Sequence, residues 1–252
     1  MRQFGFLAFA LCSILCWSCN ETPQELTADD IIEKAIAKHG GELYDNMEVQ
    51  FDFRNRHFTA KISKGEYVYE RTFRSNDGMV TDVWSNNKFK RMIDDKEIRL
   101  ERENRRTYQR ATNSVIYFAL LPFNLDDPVV NRQLMKAVEI KGEPYHKVEI
   151  TFGENSGGED FENVYIYWIH KEDYTIDYFA YGFYVNGGGV RFREAYNARE
   201  VGGIRFQDYK NYTIDKDFPV QELDYAYEIG ELELVSDIKI ENIEVNRLSM
   251  AD

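Results

Sequence analysis

Few residues in this chain have both the type and the spacing that catalysis or metal binding requires. The four histidines, His39, His57, His146 and His170, show no HExxH or other i, i+4 pairing, so they read as structural. His39 closes a helical stretch, where a partial positive charge is welcome. Glu159, Asp160 and Glu162, and separately Asp215 with Asp217, offer oxygens of the kind calcium takes. Neither group fits the twelve-residue calcium loop, and both read as solvated turns. Asn186-Gly187-Gly188-Gly189 lacks the Lys-Ser/Thr of a phosphate loop and reads as a hairpin turn. The cysteines are Cys12, Cys16 and Cys19, with none in the other 233 residues. The main body therefore has no disulfide, no Cys-based zinc site and no thiol nucleophile. Arg99, Arg102, Arg105, Arg106 and Arg110, with Tyr108 among them, form a basic cluster that suits an anionic headgroup or a glycan. Glu97, Glu101 and Glu103 interleave with it, which favours a solvated, ion-paired hairpin. No metal and no cofactor is expected.

Aromatic residues carry the strongest signal, at 15% of the chain. Trp84, Phe89, Trp168, Phe179, Tyr181 and Phe183 all lie in strand patterns. In Ile176–Val185 both alternating sets are largely apolar: Tyr178, Ala180 and Tyr184 on one face, Phe179, Tyr181, Phe183 and Val185 on the other. A strand apolar on both faces is covered on both sides, or lines a cavity on one. Those six aromatics are the candidate lining of such a cavity. Plain core packing under helices is the alternative.

The elements that must position these residues are mainly strands. A first helix starts at Thr27 as N-cap, with Asp29 and Asp30 in its first turn, and stops at Gly40-Gly41. Strand patterns follow: Val49–Phe53, Phe58–Ile62, Tyr67–Phe73, Met79–Trp84 and Lys88–Ile93, with two polar strands near 96–101 and 105–110. A second helix is predicted from about Asn113 to Leu121, apolar on nearly all sides and so buried, with Pro122 ending it. Residues 123–135 read as a connection. Strand patterns resume at Ala137–Lys141, His146–Phe152, Val164–Ile169, Ile176–Val185, Val190–Tyr196, Ile204–Thr213 and Leu232–Val245, with Gly153–Asp160 as a polar loop. About a dozen short strands at regular spacing with few helices argue for a single, mainly β (α+β) domain built on an antiparallel sheet or barrel. The 44 acidic against 31 basic residues give a charge of −13, which excludes a broad nucleic-acid footprint.

Residues 1–18 read as a signal peptide, with Arg2 in a positive n-region and Phe4 to Leu15 as an apolar stretch too short to span a bilayer. Ser18-Cys19 resembles a bacterial lipobox, although Trp17 and Cys16 depart from its usual pattern. An ordinary secretory signal cut nearby and an uncleaved chain are the alternatives. Lipidation of Cys19 would leave residues 19–27 as anchor and short tether, reaching at most roughly 25–30 Å, before a domain over 28–252. Several acyl chains would hold it stably where one would be marginal. Asn20 replaces the Asp that marks inner-membrane retention in such lipoproteins. The resemblance therefore implies a Gram-negative outer-membrane lipoprotein, facing the periplasm or the surface.

Ala28–Gly41, Val115–Phe123 and the ladder Tyr145–Phe152 with Val164–Val185 resemble the LolA/LolB-like lipoprotein-carrier fold; LLPFNL and YHKVEITF look most like that group. The chain also looks like a member of an uncharacterised bacterial lipoprotein family of similar design. The resemblance implies an incomplete barrel with the N-terminal helix and one apolar helix over its concave face, enclosing space for lipid or acyl chains. Its turns are polar and lack the protruding Leu-type tip of LolB, which speaks against a lipoprotein-acceptor role. The expected function is non-catalytic binding of an apolar ligand. An envelope enzyme acting on glycan or lipid, and a protein-interaction module, are the competing readings.

Overall fold

The structure is a computed structural model describing residues 25–86, 88–152, 163–184 and 187–248. Residues 1–24, with Cys12, Cys16 and Cys19 and the predicted signal peptide, residues 153–162, with Glu159, Asp160 and Glu162, and Val185-Asn186 lie outside the described residues.

Helix α1 (Ala28–His39) begins in a capping box. Asp30 N–H donates to the Thr27 hydroxyl at 3.2 Å, and the Thr27 N–H donates to the Asp30 carboxylate at 2.8 Å. The helix stops at Gly40, where a Cβ would sit 2.9 Å from the Tyr44 ring, and Gly41 then takes φ +54, a conformation that favours glycine. A short 3-10 turn follows over Gly41–Asp45.

Six strands then run up and down: β1 (Asn46–Phe53), β2 (Arg56–Ser63), β3 (Glu66–Ser75), β4 (Gly78–Ser85), β5 (Lys88–Ile93) and β6 (Lys96–Ile98). Helix α2 spans Arg102–Ala119. Strands β7 (Val130–Leu134), β8 (Val138–Ile140), β9 (Glu143–Phe152), β10 (Tyr165–His170), β11 (Ile176–Phe183), β12 (Gly189–Val201) and β13 (Ile204–Thr213) follow. Helix α3 (Leu223–Glu228), β14 (Glu233–Ile238) and β15 (Ile240–Arg247) close the chain. One antiparallel sheet has the order β15-β1-β2-β3-β4-β5-β6, the other β14-β13-β12-β11-β10-β9-β7, with β8 also on β9. Only Lys239 separates β14 from β15, so the chain turns from one sheet into the other at a corner. There Asp208 accepts from the Ile240 N–H at 3.1 Å and from Arg199 at 3.1 Å. The barrel stays open between β6 and β7.

Alternation decides which side chains point inward. Phe51, Val49 and Met47 of β1 stand directly opposite Phe58, Ala60 and Ile62 of β2, and all six are buried. All six residues of β10 are buried, and β11 is buried on both faces over its first half. The inner side meets α1 through Ile31, Ile32 and Ala35. The outer side lies under Leu223 of α3 and the segment carrying Phe218 and Val220. That double cover explains the two-sided apolar pattern over Ile176–Ala180, whereas Tyr184 beyond it is exposed.

Three features differ from the sequence reading. Residues 105–110 are helix, not strand: RENRRTYQRA has no apolar period, but its Arg, Glu, Gln and Ala are good helix formers joined to an apolar continuation. Helix α2 is also not buried all round, since only Thr112 and Ile116 of its 18 residues are buried. It lies across the mouth of a half-barrel rather than inside a closed core. Leu232–Val245 is two strands in different sheets, β7 falls in the stretch read as a connection, and α3 lies between the predicted strands.

His39 is the fourth difference. It is buried with α1, its Nδ1 2.8 Å from the Ala35 carbonyl and its Nε2 accepting from the Ile176 N–H at 3.5 Å. Burial pushes its pKa down to about 4, so it is neutral rather than a charge complementing the helix end. Below pH 6.5 the unfolded chain binds a proton that the folded chain refuses, so stability falls as pH drops from 6.5 towards 4. The His39 contribution is on the order of 3 kcal/mol. Urea unfolding between pH 7 and pH 4.5 should show a shallower pH slope in His39→Gln than in the parent. Asp52, whose pKa is lowered by hydrogen bonds from Asn242 and His57, loses stability in the same direction and supplies a background slope to both. Identical slopes would refute the buried-neutral assignment.

Candidate functional site

The inner wall of the first sheet carries Tyr67 and Tyr69 of β3, Trp84 of β4 and Phe89 of β5 on one face, with Tyr69 opposite Trp84 and Trp84 opposite Phe89. Trp84 meets Tyr67 edge-on at 5.3 Å and Tyr69 at 6.0 Å between ring centroids. The inner wall of the second sheet carries Tyr165, Tyr167, Phe179, Tyr181 and Phe183, each 5.7–6.3 Å from a neighbouring ring. Five of the six aromatics singled out from sequence thus face inward, Trp84 and Phe89 from one sheet and Phe179, Tyr181 and Phe183 from the other. Trp168 points the opposite way. It packs on Phe192 at 5.4 Å and donates its indole N–H to Asp224 of α3 at 3.3 Å.

Helix α2 fills the space between the walls. Ile116 and Leu120, one turn apart, pack on the first sheet. Tyr117 and Phe118 turn to the second, where the Tyr117 and Tyr167 hydroxyls meet at 2.8 Å and Phe118 stacks on Phe179 and Tyr181 at 5.2 and 5.3 Å. Burial and the Tyr117 hydroxyl push the Tyr167 pKa well up.

Two cavities flank the C-terminal end of α2. One, of about 310 Å³, opens outward between α1 and the chain after α2, lined by Ile36, Tyr44, Asp45, Phe123, Asp126 and Asp127 among others. The other, of about 70 Å³, lies under α2 against Tyr69, Ile116, Tyr117 and Leu120. Phe123 and Asn124 line both, so the Phe123 ring, 5.3 Å from Tyr44, stands between an outer vestibule and the aromatic wall. The inner space is too small for an acyl chain unless α2 or Phe123 moves.

Charged groups on the inner face are the part that sequence reasoning missed. Asp82 of β4 is fully buried between Arg71 of β3 and Arg91 of β5. The Tyr108 ring of α2 lies 3.2 Å from the Arg91 guanidinium carbon. Arg193 of β12 is 8% exposed, stacked on Phe118, Phe179 and Tyr181. The readable signal was a charge inside an inward-facing alternation: Tyr67-Tyr69-Arg71-Phe73, Val80-Asp82-Trp84 and Arg191-Arg193-Ala195.

The other sequence candidates do not converge. Arg99, Arg102, Arg105 and Arg106 are exposed, the last three on the first turns of α2 rather than on a hairpin. His146 and His170 sit on adjoining strands but on opposite faces, because His146 pairs with Ile169 and His170 with Tyr145. His57 pairs with Asp52 at 2.8 Å on the surface. Asp217 N–H donates to Asp215 at 3.0 Å in a simple turn. Among the described residues no group of three or more His, Cys, Asp or Glu could hold a metal ion. None of the described helices is long and apolar enough to cross a membrane.

The arrangement defines a class: an incomplete antiparallel barrel with an aromatic inner wall and a helix laid across it. Residues 4–242 match DUF6503, a family of unknown function, and the chain belongs to that family. Among solved structures it is similar to the LolA superfamily protein NE2245 from Nitrosomonas europaea, at 13% identity over 90% of this chain and 96% of that one, TM-score 0.48. It is also similar to a DUF1329 family protein from Desulfovibrio piger, at 10% identity over 90% and 95%, TM-score 0.39. A third similarity is to the lipoprotein LppX from Mycobacterium tuberculosis, at 12% identity over 64% and 89%, TM-score 0.28. No curated protein matches the chain.

Proposed function

We propose that this chain is an envelope lipoprotein, tethered to the outer membrane through lipidated Cys19, that takes an apolar ligand, a lipid or acyl chain, onto its aromatic inner wall. Trp84, Phe89, Phe179, Tyr181 and Phe183 contact the ligand, and α2 gives way to admit it. The observation that carries this reading is the light hold on α2. An 18-residue helix covers the aromatic wall with only Thr112 and Ile116 fully buried and its wall contacts Tyr117 and Phe118 half-buried, beside a vestibule that Phe123 separates from the inner space. Elements with few buried contacts open first, and a ligand covering the same apolar area replaces what the helix covered. No acid–base pair is needed for such a role, and the protein binds without catalysing.

Residues 20–252, made without Cys19 and purified from a lysate containing membranes, should carry a copurified amphiphile in native mass spectrometry. Trp84→Ala with Phe179→Ala should lower that occupancy by about tenfold if each lost ring forfeits part of the apolar contact. A ligand-free protein in every preparation would overturn the reading. For the anchor, Cys19→Ser should move the chain from the membrane fraction to the soluble one.

A further inference from the structure

Arg193 is a cation on the aromatic wall whose surroundings do not complete it. It is more than nine-tenths buried, yet among the described residues no carboxylate pairs with it. Its Nη2 donates to the Tyr181 hydroxyl at 3.1 Å, and its Nε has no partner. The rings of Phe118, Phe179 and Tyr181 lie 4.2, 5.1 and 5.4 Å from the guanidinium carbon. Ring faces attract a cation but accept no directed hydrogen bond comparable to a carboxylate's. A buried guanidinium without an anion is costly, whereas other buried cations of the fold meet a carboxylate: Arg71 and Arg91 share Asp82, and Lys147 has Asp224.

The neighbourhood extends the pattern. Arg191, two residues along β12 and so roughly 7 Å away on the same face, stacks on Phe183 at 5.0 Å. It donates to the Val190 carbonyl and the Thr213 hydroxyl but to no carboxylate. Asn211 stands directly opposite Arg193 on β13 with its Oδ1 unpartnered. Of the three rings over Arg193, the closest belongs to α2.

We infer that Arg193, flanked by Arg191, binds the anionic head of a single-chain amphiphile whose tail lies along Phe179, Tyr181 and Phe183, with Phe118 covering the guanidinium until the ligand replaces it. This rests on the apolar-ligand reading above and names the ligand class. The head supplies the acceptor that Nε lacks, and the same movement of α2 that uncovers the wall lifts Phe118 from the cation.

The test uses the full chain with phosphatidylcholine nanodiscs carrying either of two photoactivatable probes, a diazirine palmitic acid or the matching neutral diazirine alcohol. The acid should label the protein about tenfold more than the alcohol, the factor expected of one charge-assisted contact. Labels should map to residues 176–183 and the C-terminal half of α2. In Arg193→Met the preference should fall to within about twofold, while Arg193→Lys, which keeps a cation and guards against misfolding as the explanation, should retain part of it. Excess inorganic phosphate should leave the labelling unchanged. Equal labelling by both probes, or an unaltered acid preference in Arg193→Met, overturns the assignment of the head site while the apolar-ligand reading stands. Loss of acid labelling in phosphate shows a free-anion site and overturns the amphiphile class. Labelling by neither probe sinks both readings.

Discussion

Asp82→Asn should destabilise the protein by about 3–5 kcal/mol, the range for breaking a buried ion pair from one side. Asp82 is fully buried and accepts four hydrogen bonds. Arg71 gives two, from Nε at 3.0 Å and Nη2 at 2.5 Å, and Arg91 gives two, from Nε at 2.6 Å and Nη2 at 2.8 Å. The carboxylate holds two cations, so the triad keeps one net positive charge under α2. Rings offset the excess: Phe73 lies near both guanidiniums, and Tyr108 covers Arg91. An amide can neither supply the charge nor accept all four bonds, which leaves two guanidiniums facing each other inside the sheet. Arg91→Met should cost less, because it leaves one balanced pair. Urea unfolding at pH 7 separates the cases, and a loss below about 1 kcal/mol in Asp82→Asn would contradict the buried-triad account. Because Tyr108 rests on Arg91, the Asp82 variant should also loosen α2, visible as faster proteolysis within residues 102–111.

That triad also marks where sequence reading stops. Strand positions, hairpin turns and the α1 cap were legible because each depends on neighbours in the chain: Thr27 with Asp30, Asp77-Gly78, and Phe51 alternating with Val49 and Met47. The antiparallel sheet or barrel followed from the number and spacing of those strands, and its open form from the resemblance to the lipoprotein-carrier fold. Arg71, Asp82 and Arg91 lie on three strands, 11 and 9 residues apart, and only the register of β3, β4 and β5 brings them together. Arg193 was invisible for the same reason, since its ring partners come from α2 and β11. Trp168 shows the converse. Its strand was recognised, but which face it takes depends on what covers the outer side, and α3 is only six residues long. Helix α2 was half read because its apolar end has a period while its charged start has only propensity.

The outer face of the second sheet offers the complementary expectation, since its ion pair is buried under α3. Lys147 Nζ donates to both oxygens of Asp224, at 3.0 and 2.9 Å, and to the Gln221 carbonyl. The Trp168 indole shares the same carboxylate. Removing it in Asp224→Ala strands a buried ammonium and an indole N–H together, at an expected cost of about 3–5 kcal/mol. The ammonium can escape to water only by lifting α3 from β9–β11, so the damage should begin locally. In residues 20–252 carrying Trp84→Phe, which leaves Trp168 as the sole tryptophan, its emission should move to longer wavelength before the main unfolding transition. The double variant Lys147→Met with Asp224→Leu removes both charges and fills the volume with apolar groups, and it should recover most of the lost stability. If the double variant is as unstable as Asp224→Ala, the pair is not what holds α3 down, and packing of Leu223 and Tyr227 carries it instead. The acid preference assigned to Arg193 should survive in the recovered protein, because the Lys147–Asp224 pair lies on the opposite face of the sheet from the aromatic wall.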